Sequence, residues 1–223
     1  MATHLVHPAA QRLYDATLAQ RRQLARALAI EYDWRHHDGP EWAARYWAAF
    51  GDLQSGVGAG NDAVVAARVA ARAQWPLLDA DESAQLRHIF RALLNALHPE
   101  LRPRAAADAR ALLWPEVLRA YRGGDSQALR GLLARTRALE VMAELPPALA
   151  ALRGEHDRLV RAREAADRRL AELSQTFPFC MRDKLADAEW IRRQRLALRQ
   201  IRVMTATPRP LPALREDHRK QVS

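Results

Sequence analysis

The sequence predicts an all-α protein. Three observations carry that prediction. Ala, Leu and Arg recur along all 223 residues, and these side chains lose little freedom in a helix. Aromatic residues make up only 6% of the chain and glycine is scarce, which disfavours sheet. Apolar positions return at helical spacing in one segment after another. With 49% hydrophobic and 27% charged residues the chain can bury a core, as one domain or as two small ones.

Pro8 suits the first turn of a helix, where its missing N–H would have had no partner. Leu13, Leu24, Leu28 and Tyr32 then recur among arginines up to residue 33. The run RHHDGP, residues 35–40, is expected to break this helix as a surface turn. Its histidines have no further ligand at helical spacing, so no metal is expected there. The next stretch, EWAARYWAAFGDL, places Trp42, Tyr46, Trp47 and Phe50 on one side of a short second helix, as core packing. The glycines of SGVGAGND, residues 55–62, precede an Ala/Val-rich third helix that Asn61 or Asp62 could cap. No strand comes before them, so they read as a flexible turn and not as a phosphate cradle.

A further helix begins around Ser83. Leu86, Phe90, Leu93 and Leu97 define its buried face, while Arg87, Arg91 and Asn95 share another face expected to be open for binding. The residue before a proline is pushed out of the helical region. His98 therefore falls at the helix end, and Pro99 stiffens the turn that should present His98 and Glu100. The segment RAAADARALLWPEVLRAY, residues 104–121, carries Leu113, Val117, Ala120 and Tyr121 on one side, suited to lie antiparallel against the preceding helix.

Toward the C-terminus, Leu145, Leu149, Leu152, His156, Leu159, Arg163, Ala166, Leu170 and Leu173 alternate spacings of four and three, a heptad seam weakened in its middle by His156 and Arg163. TFPFCMRDKLAD interrupts it, and Asp187 can cap a last helix from about residue 188 to 204, with an apolar stripe of Leu185, Ile191, Leu198 and Ile201. Two helices joined by a short linker are expected to fold back as an antiparallel coiled-coil hairpin, and the seam could also pair two copies of the chain. The expected organisation is an N-terminal helical region (1–78), a helical hairpin with a polar tip (79–140), a coiled-coil hairpin (141–205) and a disordered tail (206–223).

The stretch FRALLNALHPE followed by a helix ending in Ala120-Tyr121 resembles the J-domain, the DnaJ-type co-chaperone module. The likeness extends through LWPEVLRAYRGGD and the interrupted heptad segment with FPFCMRDKLADAEWI, a pattern similar to that of a group of bacterial J-domain proteins. It covers roughly residues 50–204. The resemblance implies docking on a DnaK-type chaperone and stimulation of its ATPase, with no chemistry in the chain itself and no cofactor. It implies that His98, Pro99 and Glu100 form the docking tripeptide, with Glu100 where the family has Asp. It also implies that Arg87 and Arg91 form the docking face, and that Phe90, Leu93, Leu97, Leu113, Ala120 and Tyr121 hold the two helices together. Ala96 stands where many J-domains place a lysine, Pro115 lies in the second helix, and no Gly/Phe-rich linker or zinc-ligand cysteines follow.

Charge supplies a second reading. The formal net charge is +9, and from residue 150 onward 17 basic side chains face 10 acidic ones. Arg192, Arg193, Arg195, Arg199 and Arg202 accumulate where no acid interrupts, a pattern that could neutralise nucleic-acid phosphates. A third reading is a coiled-coil scaffold in which the J-like hairpin is a relic. Enzyme chemistry is not expected, because no nucleophile elbow, catalytic triad order or paired-carboxylate site emerges. Cys180 is the only cysteine, and no segment approaches the roughly 20 uncharged residues of a membrane span. A reducing, cytoplasmic setting is therefore expected.

Overall fold

The computed structural model describes residues 8–54, 78–102, 112–138 and 148–206. The glycine-rich run, the expected third helix, residue 145 of the seam and residues 207–223 of the tail lie outside the described residues. Every regular element described is helical, so the chain is all-α.

The first helix, α1 (Pro8–Asp33), does not break at RHHDGP. It passes through one wide π-helical turn, Trp34–Asp38, and continues as α2 (Gly39–Gln54). Pro40 lacks an N–H, and an ordinary α-turn around it would lose a hydrogen bond. The π-turn takes up one extra residue, and Gly39 N–H reaches back five residues to Trp34 O. Gly39 is needed here for close approach. A Cβ at this position would lie 2.6 Å from Trp34 O and 3.2 Å from the Phe179 ring. Gly39→Ala is therefore expected to destabilise the fold by about 1–3 kcal/mol through overpacking. Gly154→Ala, where an added Cβ meets open space in mid-helix, is expected to stabilise by up to about 1 kcal/mol through helix propensity. Thermal melts of the two variants check the opposite signs.

The middle of the chain forms α3 (Ala80–Leu97), a 3-10 turn at Pro99–Leu101, α4 (Trp114–Arg122) and α5 (Ser126–Ala138). Asp79 and Glu82 close a reciprocal capping box at the start of α3, with Glu82 N–H donating to Asp79 Oδ1 at 2.7 Å. Pro115 sits in the first turn of α4, where it costs no hydrogen bond. Gly124, at φ 68°, turns the chain into α5, and Asp125 caps that helix by accepting from Ala128 N at 2.8 Å.

The C-terminal part contains α6 (Leu149–Gln175), a 3-10 turn at Phe179–Met181, the short α7 (Arg182–Ala186) and α8 (Ala188–Ala206). Asp187 caps α8 as expected, accepting from Glu189 N at 2.8 Å and Trp190 N at 3.1 Å. Cys180 lies exposed on the turn between them.

The expected C-terminal hairpin gives way to a different pairing. Helix α6 packs along α1, and α8 packs along α2. The order of the contacts sets the direction. Arg21 pairs with Glu155 at 3.6 Å and Glu31 with Arg169 at 2.9 Å, so α1 and α6 run parallel. Further on, Phe50 meets Trp190 edge-on, and Asp52 pairs with Arg195 at 2.7 Å. The seam does bury Leu152, Leu159 and Ala166, but against a helix of its own chain, which occupies the surface a second copy would have used. The matching pattern on α1 runs through Thr17, Arg21, Leu24, Leu28 and Glu31. Three of those five positions are polar, so the α1 side of the seam does not stand out as a leucine repeat.

The two arms depart from regular α-helix at the same level. Trp34 of the π-turn stacks on Phe179 of the other arm, centroids 4.9 Å apart and planes at 22°. Farther along, Phe177 meets Tyr46 and Trp47, and Tyr46 meets buried Phe50, so these three of the four α2 aromatics pack as expected, while Trp42 lies under the Arg45 guanidinium. One core then joins the middle of the chain to both arms, drawing Leu24 and Leu28 from α1, Phe90 and Leu94 from α3, and Leu159 from α6.

Candidate partner-docking site

The helix end at His98-Pro99-Glu100 lies over an aromatic layer. Phe90 stacks on Tyr121 with centroids 3.7 Å apart and planes at 12°, and His98 meets Trp114 edge-on at 4.8 Å. Residue 90 thus faces 121 while residue 98 faces 114, so the α3 and α4 contacts run in opposite chain order. Leu97, Leu101, Leu113 and Val117 are buried around them.

His98 leaves the helical region at φ −63°, ψ 128°, as the following proline requires. Its Nδ1 accepts from Glu100 N–H at 3.1 Å, closing the turn. The second nitrogen then carries the proton, and Nε2 lies 3.4 Å from the Tyr32 hydroxyl. Contrary to the expected display, the imidazole is buried, only 4% exposed, beneath Tyr32 and Trp114. Burial, and then the Arg169 charge, lower its pKa from 6.5 to about 4. Pro99 is exposed and Glu100 half-exposed. The Glu100 carbonyl accepts from Arg158 Nη1 at 2.9 Å, and its carboxylate lies 3.6 Å from Arg169 Nη2.

The arginines of α3 are paired within the chain, Arg87 largely covered and Arg91 still exposed. Arg87 donates to Asp38 Oδ1 at 2.8 Å and lies 3.7 Å from Asp33 Oδ2, while Arg91 donates to Asp33 Oδ2 at 3.1 Å. Burial works against the Arg87 charge, yet the Asp38 hydrogen bond and the charges of Asp38 and Asp33 outweigh it and raise the Arg87 pKa. Asp33 is itself 4% exposed and also accepts the Tyr121 hydroxyl. Burial first, then Asp33, push the Tyr121 pKa upward. RHHDGP is thus central and not a surface turn. His37 is buried with its ring 4.4 Å from that of Tyr121, and His36 lies against Tyr32 with its pKa lowered to about 4 by burial and then Arg122.

Sequence reasoning named the tripeptide and the two arginines but missed what covers them: Glu31, Tyr32, Asp33 and Asp38 from the α1/α2 joint, with Arg158 and Arg169 from α6. The seam register of Glu31, i+7 from Leu24, was the available signal. The second candidate surface is split. Arg192, Arg193 and Arg199 are exposed on α8. Arg195 instead bonds Asp52 and the Ala49 carbonyl, and Arg202 donates to the Asp52 carbonyl at 3.1 Å. Among the described residues no cluster of metal-ligating side chains occurs, and no helix is long and apolar enough to cross a membrane. Comparison with protein-family models, with curated proteins and with solved structures finds no match to this chain.

Proposed function

We propose that this chain is a J-domain-like adaptor that docks on a DnaK-type chaperone through the corner at the end of α3. The observation that carries this reading is the corner itself. Pro99 and Glu100 stand at the surface on a turn anchored below by buried Leu101 and by the α3/α4 aromatic layer. A carboxylate held this way can make charge-assisted hydrogen bonds to a guanidinium of the partner, while the arginines of α3 meet acidic groups. In this reading His98 is a positioning residue, since its Nδ1 holds the Glu100 amide and its ring does not reach the surface.

The test is single-turnover ATP hydrolysis by a purified DnaK-type ATPase from the same organism. The chain should accelerate hydrolysis, Glu100→Ala and His98→Gln should abolish the effect, and Glu100→Asp should increase it. Absence of stimulation by the native chain, by Glu100→Asp and by Asp38→Asn, which frees Arg87, would end the co-chaperone reading. The burial of His98 and the pairing of Arg87 favour, in that event, a scaffold whose J-like corner is structural. Nucleic-acid binding along α8 is weakened by the diversion of Arg195 and Arg202 to α2. An electrophoretic shift at low salt that Arg192→Ala and Arg199→Ala abolish would revive it.

A further inference from the structure

The cover over the α3 corner has a single chemical character. Both α3 arginines end on carboxylates, and both carboxylates belong to the short joint between α1 and α2. On the other side of the corner, Arg169 lies 3.6 Å from the Glu100 carboxylate. That arginine is held in place by Glu31, which accepts its Nε at 2.9 Å and 3.1 Å. The same joint supplies Tyr32, whose ring lies across His98 with centroids 5.9 Å apart. One segment of eight residues, 31–38, therefore meets Arg87, Arg91 and His98 directly and the Glu100 carboxylate through Arg169.

The joint is also built differently from a plain packing helix. It contains the π-turn, whose wider register sets Asp38 five residues beyond Asp33 against one helix face. Asp33 is enclosed, whereas the Arg87–Asp38 pair has side chains 25% and 27% exposed, and Arg91 is 55% exposed. Partly wet pairs of this kind add little to stability and are screened by salt. They supply specificity of contact without locking the surface permanently.

We propose that the α1/α2 joint is an occupant in cis of the partner surface of α3. Asp33 and Asp38 take the arginine contacts, and Glu31 with Arg169 takes the Glu100 contact, that an acidic, arginine-bearing segment of a partner protein would otherwise make. Docking then requires the joint to leave, and the partner must carry carboxylates spaced to replace those of Asp33 and Asp38. This inference rests on the co-chaperone reading above.

The experiment compares the full chain with Asp38→Asn and with Asp33→Asn/Asp38→Asn, by ATPase stimulation and by NMR titration of the His98 ring. The ring reports opening without any partner. Weakening the joint should raise stimulation by about tenfold, a population-shift effect, and move the His98 titration from about 4 toward 6.5. Equal stimulation by native and variant chains overturns occupancy in cis and leaves the co-chaperone reading standing. No stimulation by any of them, with His98 already shifted, overturns both. If the double variant does not fold, Asp38→Asn carries the comparison alone, because its carboxylate lies at the rim of the network.

Discussion

Phe90→Ala is expected to lower the free energy of unfolding by about 3–5 kcal/mol, the range for truncating a fully buried aromatic side chain. The reason is where Phe90 sits. Its ring is fully enclosed, stacked on Tyr121, edge-on to Tyr32 at 5.6 Å and tilted against Trp114 at 6.0 Å. It therefore joins α1, α3 and α4 at one point, and the void left by alanine has rigid walls on several sides. Tyr121 would lose its stacking partner while its hydroxyl still holds Asp33. Leu196→Ala on α8, 58% exposed, is the control and should change stability by less than about 0.5 kcal/mol. Urea denaturation of both variants measures the difference. Equal midpoints would mean that the aromatic layer is not what joins the corner to the first helix.

Acidification from pH 7 to pH 4 is expected to remove about 3 kcal/mol of stability through His98 alone. The folded-state pKa is about 4 against an ordinary 6.5. Above pH 6.5 the ring is neutral in both states and nothing is lost. Between 6.5 and 4 the unfolded chain binds a proton that the folded chain refuses, so unfolding is favoured progressively as pH falls. Below 4 both states are protonated and the loss is complete. The geometry supports the same sign independently of the pKa value. Protonating Nδ1 would turn a hydrogen-bond acceptor into a donor facing the Glu100 N–H. His98→Gln should flatten this part of the stability profile. A profile with the same slope in both chains would place the proton uptake elsewhere, with the half-buried His36 the next group to replace.

The parts of the fold governed by local rules were legible in the sequence. The end of α3 at His98 followed from Pro99, the cap at Asp187 from its place before an apolar run, and the α3/α4 contact residues from helical spacing. The associations between distant segments were not. Asp38 reaches Arg87 across 49 positions and Asp33 reaches Arg91 across 58, and no period in the chain announces such pairs. The Gly39-Pro40 dipeptide suggested a break because proline usually ends a helix, but a π-turn absorbs the missing donor. A heptad pattern states that a helix has a partner without naming it. The seam of α6 therefore suggested the neighbouring α8, although α1 carries the complementary faces. For the candidate site the consequence is specific: the tripeptide could be read from the chain, and the burial of its His98 could not.

The stacking of Trp34 on Phe179, where both arms interrupt their helices, ties the lengths of two distant parts of the sequence together. Deleting one heptad between Arg21 and Trp34 would slide that interruption by about 10 Å and strand Phe179 against an uninterrupted helix. Deleting seven residues between Glu155 and Phe179 as well would bring the two back into line. Each deletion alone should part the two rings and the pair should restore their stacking, a form of spacing covariation that no single-residue substitution would uncover.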